Sequence, residues 1–178
     1  MLEELIIAGF GGQGVMVMGQ LLSYSGMFEG KNVSWIPSYG PEMRGGTANC
    51  AVVVSSEQIG SPIVTEPMSV IVMNRPSMDK FEPTLRSGGL LIYNSSLIDR
   101  TPARSDLRVV AVPANEIAIE LGVDKVANMC ALGAYLAATR VVAMDSVVEC
   151  LKKVLPERRH NLIPLNVDAL HRGAALVK

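Results

Sequence analysis

A glycine-rich turn between an apolar run and a helix constrains the fold of this chain more than any other feature. Leu5–Ala8 (LIIA) is a short uncharged run, typical of a strand buried on both faces. Gly9–Gly14 (GFGGQG) follows directly, and the residues from Gly12 to about Phe28 favour a helix. A buried strand that passes through glycines into a helix is the opening unit of a sheet covered by helices.

The same alternation continues along the chain. Apolar runs bounded by turn residues predict further strands at 33–36 (ended by Pro37), 47–55, 70–73, 90–93 and 108–112. Because only a short loop precedes the strand at 47–55, we expect that strand to run antiparallel. Helices are expected from Asn115 to Gly122, over 128–142, from Ser146 to before Pro156 and over 166–176, with Asn115 and the Ser146/Glu149 pair as caps. These elements predict an α/β fold: a three-layer, Rossmann-like sheet, mostly parallel, with one antiparallel strand and helices on both faces.

Composition indicates an ordered protein. Of the 178 residues, 49% are hydrophobic and 19% charged, which excludes disorder and allows a sizeable core, and we expect residues 1–178 to form a single domain. Sixteen Lys and Arg stand against seventeen Asp and Glu, which argues against nucleic acid as a partner. Three widely spaced cysteines cannot form a disulfide framework, a zinc site or an iron–sulfur cluster, and they indicate a cytoplasmic location.

The uncharged stretch Leu5–Phe28 is long enough to cross a bilayer, but its composition argues against a membrane segment. Glycines interrupt its first half, and glutamines and serines lie within it. The chain begins with Glu3 and Glu4, where a signal peptide would need basic residues. We therefore expect no membrane association.

The helices predicted at about 14–28 and 128–142 lack the polar stripe that a surface helix keeps. Burial under another protein chain is the interpretation we favour. The alternative is that small residues let both helices pack deep in the core of their own domain.

The glycine turn has three possible meanings. Its G-x-G-x-x-G spacing at a strand-to-helix junction suits a phosphate or another anion, which the helix N-terminus would bind through free N–H groups. The glycines could instead serve only close packing of helix and sheet. Full NAD or FAD binding is the weakest possibility, because the second strand does not end in an Asp or Glu that could hold a ribose.

A second glycine-rich loop, Gly40–Gly46 (GPEMRGG), carries two charges. The Arg44 guanidinium could bind a carboxylate or phosphate through two hydrogen bonds, although a solvated turn is also consistent with the spacing. His160 and His171 are expected at the surface, and the cysteines are expected to be small buried apolar residues.

These two loops together carry a family resemblance. Gly9–Val15 (GFGGQGV) followed by Pro37–Asn49 (PSYGPEMRGGTAN) resembles the gamma subunit of 2-oxoacid:ferredoxin oxidoreductases. The similarity continues at residues 88–96, at Asn128 with 132–134, and at 166–170 followed by Gly173. It therefore covers nearly the whole chain. The EMRGGT version of the second loop is closer to the 2-oxoglutarate and branched-chain 2-oxoacid enzymes than to the pyruvate enzyme.

The resemblance implies a role in CoA-dependent oxidative decarboxylation of a 2-oxoacid such as 2-oxoglutarate. It implies alpha and beta subunits as partners, a ferredoxin-like delta subunit as a further candidate, and ferredoxin as the electron acceptor of the complex. Thiamine diphosphate, Mg²⁺ and iron–sulfur clusters would belong to those partner subunits, while this chain alone binds no cofactor, no metal and has no catalytic residue of its own. A free-standing nucleotide-binding module is the alternative function.

If the second strand lies beside the first, both glycine loops follow the carboxyl ends of adjacent strands and share one crevice. We therefore predict one set of ligand- or partner-binding residues: Gly9, Gly11, Gly12, Gln13, Gly14, Gly40, Pro41, Glu42, Arg44, Gly45, Gly46 and Asn49.

Overall fold

The computed structural model describes residues 1–38 and 47–177, which build a mixed sheet with helices on both faces. Its strands are β1 (Leu2–Phe10), β2 (Asn32–Ser38), β3 (Thr47–Ser55), β4 (Ser69–Val72), β5 (Leu90–Asn94) and β6 (Arg108–Val112). Its helices are α1 (Val15–Phe28), α2 (Arg75–Phe81), α3 (Ala114–Glu120), α4 (Ala127–Thr139), α5 (Met144–Val154) and α6 (Ile163–Ala174). Short 3₁₀ turns occupy Glu82–Thr84, Asp124–Val126 and Glu157–Leu162.

The strand order in this part of the chain is β2-β3-β1-β4-β5-β6. β1, β4, β5 and β6 are parallel, whereas β3 pairs antiparallel with both β1 and β2. The prediction of a mostly parallel sheet with an antiparallel strand is confirmed.

The expectation that β2 lies beside β1 is wrong, because β3 separates them. β2 also continues past Pro37 to Ser38 instead of ending at the proline. Proline has no N–H to donate to a neighbouring strand, so a strand that contains it is best accommodated at the edge of a sheet. That is the position that β2 occupies.

Alternate residues of β1 divide the core between the two faces of the sheet. Leu5 and Ile7 belong to a large cluster with α1, α3, α4, α5 and α6, whereas Ile6 and Ala8 belong to a smaller cluster with α2. The continuous apolar run of β1 follows from this burial on both faces.

Across the described parts of the chain, no helix combines the length and apolar character that a bilayer crossing demands.

Two predicted helix caps are wrong. α3 begins at Ala114, and Asn115 lies inside it and accepts a hydrogen bond from Asn94 Nδ2 at 2.8 Å. α5 begins at Met144, so Ser146 lies in its first turn. The Glu29 carboxylate, at the end of α1, accepts a hydrogen bond from the Ala143 N–H at 2.7 Å and so supports the start of α5. A distant side chain thus replaces the local cap.

Candidate functional site

The glycine turn is a tight bend that needs left-handed backbone angles. The Gln13 N–H donates to the Phe10 carbonyl oxygen at 3.1 Å, and Gly12 and Gly14 have φ angles of 97° and 73°. Side chains with a Cβ rarely adopt such angles, which accounts for glycine at both positions. α1 starts at Val15, and the leading N–H groups of a helix have no intrahelical acceptor, so they present partial positive charge at the turn.

Two of the glycines also make room for side chains of the same protein. A Cβ on Gly9 would lie 2.8 Å from Gln13 Oε1 and 3.0 Å from Met73 Cβ. A Cβ on Gly14 would lie 2.3 Å from Asn128 Nδ2. The absence of a Cβ at Gly9 and Gly14 therefore leaves room for these neighbouring side chains. A Cβ on Gly12 would meet open space, so close contact does not explain that position.

The Gln13 carboxamide is engaged inside the chain. Its Oε1 accepts from the Phe10 N–H at 2.7 Å and from Asn74 Nδ2 at 3.3 Å, while its Nε2 donates to the Met73 carbonyl oxygen at 3.2 Å. Met73 and Asn74 follow β4, which is the parallel neighbour of β1. Spacing alone did not identify Asn74, because 61 residues separate it from Gln13.

A cavity of about 260 Å³ lies against the glycine turn on the side of α4, lined by Gly12, Gly14, Lys125, Asn128 and Arg159 among others. Asn128 is 5% exposed and donates to the Gly14 carbonyl oxygen at 3.3 Å. Lys125 and Arg159 add positive charge beside the helix N-terminus, a combination that favours an anionic group. Sequence reasoning missed both cations, since 3₁₀ turns far along the chain bring them here.

The structure gives the positions of only some of the predicted binding residues. Gly9, Gly11, Gly12, Gln13 and Gly14 form the turn, and Asn49 in β3 lies opposite Ala8 of β1 and Ser38 of β2. The remaining predicted residues lie outside the described part of the chain: Gly40, Pro41, Glu42, Arg44, Gly45 and Gly46.

The strand register nevertheless locates both ends of the second loop. Ser38 pairs with Asn49, and Thr47 pairs with Phe10, directly before the glycine turn. β2 runs in the same direction as β1, because two antiparallel steps separate them. β1 and β2 therefore end on the same side of the sheet, although β3 lies between them.

The cysteines are all buried, as predicted: Cys50 in β3, Cys130 in α4 and Cys150 in α5. Burial raises the pKa of Cys50 and that of Cys130 to about 11, so both thiols stay protonated and poorly nucleophilic at neutral pH. Among the described residues, no group of three His, Cys, Asp or Glu side chains is placed to hold a metal ion.

A comparison with protein-family models decides the family. Residues 4–176 match the model described as pyruvate ferredoxin/flavodoxin oxidoreductase. The chain belongs to this family. This chain is 46% identical over 170 residues to the ketoisovalerate oxidoreductase subunit VorA of Methanothermobacter marburgensis. The match covers 94% of this chain and 35% of VorA. It therefore spans about a third of that relative's length.

Other members of the family match over nearly their whole length. The 2-oxoglutarate synthase subunit KorC of Methanothermobacter marburgensis is 33% identical over 184 residues, covering 99% of this chain and 97% of KorC. The crystal structure of a keto/oxoacid ferredoxin oxidoreductase gamma subunit from Geobacter sulfurreducens superposes with a TM-score of 0.83 at 27% identity, covering 98% of this chain and 97% of that one.

Proposed function

We propose that this chain is the gamma subunit of a multi-subunit 2-oxoacid:ferredoxin oxidoreductase. In that role it supports the CoA-dependent oxidative decarboxylation of a 2-oxoacid, such as 2-oxoglutarate, to an acyl-CoA and CO₂. The match to KorC over 97% of its length carries this proposal, because KorC is itself a subunit of a 2-oxoglutarate synthase. The VorA match favours branched-chain 2-oxoacids as a second substrate class. A single domain over residues 1–178 is part of the proposal.

In this proposal the alpha and beta subunits, together with a ferredoxin-like delta subunit where one is present, hold thiamine diphosphate, Mg²⁺ and the iron–sulfur clusters and pass electrons to ferredoxin. The cysteines of this chain support the assignment of the clusters to its partners, because they are buried in three separate elements and do not form a set of cluster ligands. Buried thiols of this kind persist unpaired in a reducing compartment, and we place the complex in the cytoplasm.

The glycine turn and the Arg44 loop are proposed to bind one anionic group. The turn offers the N–H groups of α1. The two loops follow the ends of β1 and β2 on the same side of the sheet, and these strands are two strand spacings, or about 10 Å, apart. Lys125 and Arg159 add positive charge on the α4 side of the turn. The candidate anions are a phosphate of CoA and an acidic side chain of a partner subunit, and we favour the partner.

The purified chain should be colourless and inactive, because the redox cofactors belong to its partners. The test is reduction of viologen with CoA, thiamine diphosphate and either 2-oxoglutarate or 2-ketoisovalerate, for the chain alone and after addition of the partner subunits. Activity is expected only in the reconstituted complex. Turnover by the chain alone, or a cluster absorbance band in its visible spectrum, would refute the subunit role.

Replacement of Arg44 distinguishes the two candidate anions. Arg44→Ala should weaken complex assembly if the anion belongs to a partner, or raise the KM for CoA if the anion is a phosphate. A charge-assisted contact contributes about 1.5–3 kcal/mol, equivalent to a change of roughly 10- to 150-fold in either constant. Arg108→Ala is the control, since Arg108 begins β6 at the opposite edge of the sheet. If neither constant changes, Arg44 is a solvated turn residue.

A further inference from the structure

Gln13 stands at the centre of the glycine turn, yet its side chain is directed into the protein. Both ends of its carboxamide are hydrogen-bonded, Oε1 to the Phe10 N–H and Asn74 Nδ2 and Nε2 to the Met73 carbonyl oxygen. Three hydrogen bonds within the chain fix the orientation of this carboxamide. The observed contacts therefore indicate that the side chain stabilises the conformation of the turn.

These bonds join the turn to a second element. Asn74 caps α2, because its Oδ1 accepts from the Ser77 N–H at 2.9 Å while its Nδ2 donates to Gln13. The carboxamide of Gln13 thus connects the end of β1 with the end of β4 and the start of α2. The missing Cβ of Gly9 provides the space, since that atom would lie 2.8 Å from Gln13 Oε1.

A turn with two glycines in left-handed conformations has many alternatives when it is not held in place. Fixing it before binding lowers the entropy cost that the anionic group would otherwise have to offset. We propose that Gln13 is the positioning residue of this turn, holding the backbone so that the N–H groups at the start of α1 converge on the anion. This inference rests on the function proposed above for the turn.

Two variants of Gln13 separate its acceptor from its donor. Gln13→Met fills a similar volume without polar atoms, so all three hydrogen bonds are lost. Gln13→Glu keeps an acceptor for Phe10 and Asn74, but its carboxylate cannot donate to the Met73 carbonyl until it is protonated. Gln58→Met is the matched control, because Gln58 is exposed and follows β3 beside the amino end of β1, away from the glycine turn.

Hydrogen–deuterium exchange of the purified chain measures the turn directly. Loss of the hydrogen bonds should accelerate exchange of the amides at positions 10 and 13, which are hydrogen-bonded within the turn, about ten-fold in Gln13→Met, less in Gln13→Glu, and not in Gln58→Met. In the reconstituted complex, the KM for CoA or the dissociation constant of assembly should rise about ten-fold in Gln13→Met, with a smaller change in kcat. Gln13→Glu should recover as the pH falls and its carboxyl becomes protonated.

The two measurements fail independently. Unchanged exchange in Gln13→Met overturns the inference about Gln13 and leaves the Arg44 result unaffected. Faster exchange with unchanged CoA dependence and unchanged assembly shows that Gln13 holds the turn, and it overturns both the functional role proposed for the turn and the positioning role that depends on it.

Discussion

Glu3, near the amino end of β1, lies in surroundings that disfavour its charge. Burial raises the pKa of the Glu3 carboxyl, and this effect outweighs the hydrogen bond that it accepts from the Ser69 hydroxyl and the attraction of Arg86. The phenol of Tyr135 in α4 is fully buried nearby, and its pKa is raised by burial and then by the charge on Glu3. The charge on Glu3 thus disfavours ionisation of Tyr135, whereas the neutral Tyr135 hydroxyl lowers the pKa of Glu3 and only partly offsets the effect of burial.

We expect Glu3 to make the stability of the chain depend on pH. Its raised pKa means that the folded state keeps the proton to a higher pH than the unfolded state. The contribution of Glu3 to the free energy of unfolding is therefore complete below the ordinary glutamate pKa. It is lost as the pH rises through the pKa of Glu3 in the folded chain. Between about pH 4 and pH 8, the Tm of Glu3→Gln should decline less than that of the parent chain.

Calorimetry at several pH values checks this prediction, with Glu57→Gln at an exposed position as the control. Parallel Tm profiles for Glu3→Gln and the parent chain would contradict it.

At the scale of elements, α4 and α6 approach each other through two glycines. A Cβ on Gly133 of α4 would lie 1.9 Å from the Leu170 carbonyl oxygen, and one on Gly173 of α6 would lie 1.9 Å from the Cys130 carbonyl oxygen. This reciprocal contact lets α6 cover α4, and residues 127–136 are all buried within the chain itself. The expectation that another protein covers this helix is therefore wrong for α4.

Gly133→Ala should destabilise the chain despite the higher helix propensity of alanine. Alanine gains about 1 kcal/mol over glycine inside a helix, but a methyl group against backbone atoms forces the helices apart, and such overpacking costs about 3 kcal/mol. Urea unfolding should show a net loss of about 2 kcal/mol. The control is Gly60→Ala, since a Cβ there meets no atom within 4 Å. Equal stability of the two variants would show that the helices can separate without cost.

On the scale of the whole molecule, the end of α1 leaves an apolar patch at the surface. Met27 is 53% and Phe28 66% exposed, and with Tyr24 and Cys150 they border a concavity of about 410 Å³ between α1 and α5. Lys153 Nζ lies 4.6 Å from the centre of the Tyr24 ring at its rim. Clustered exposed apolar side chains favour association.

We predict that the isolated chain self-associates weakly and binds a hydrophobic dye through this patch. Phe28→Ser should reduce both light scattering and dye fluorescence. Ile119→Ser is a matched control, because Ile119 in α3 is also 66% exposed but lies outside the patch. A monomeric parent chain that binds no dye would show that the exposed residues of α1 are too few to drive association.

Local patterns of the sequence sufficed to predict most elements. β3 and β6 occupy the predicted residues, and β1 and α1 lie on either side of the glycine turn. The reason is physical: a strand buried on both faces must be continuously apolar, and a chain that turns sharply into a helix needs glycine at positive φ. Burial of the cysteines was predicted from the small, apolar character of the cysteine side chain itself. The two glycine loops in their order also indicated the family.

Only the tertiary structure decided how these elements assemble. Strand order depends on pairing between distant segments, and it inserted β3 between β1 and β2 although each strand was recognisable alone. The start of α5 is supported by Glu29, more than a hundred residues earlier, and α6 covers α4 through the reciprocal contacts at Gly133 and Gly173. Gln13 finds its partners at Met73 and Asn74 for the same reason. Such contacts depend on three-dimensional proximity, which the spacing of residues along the chain does not encode.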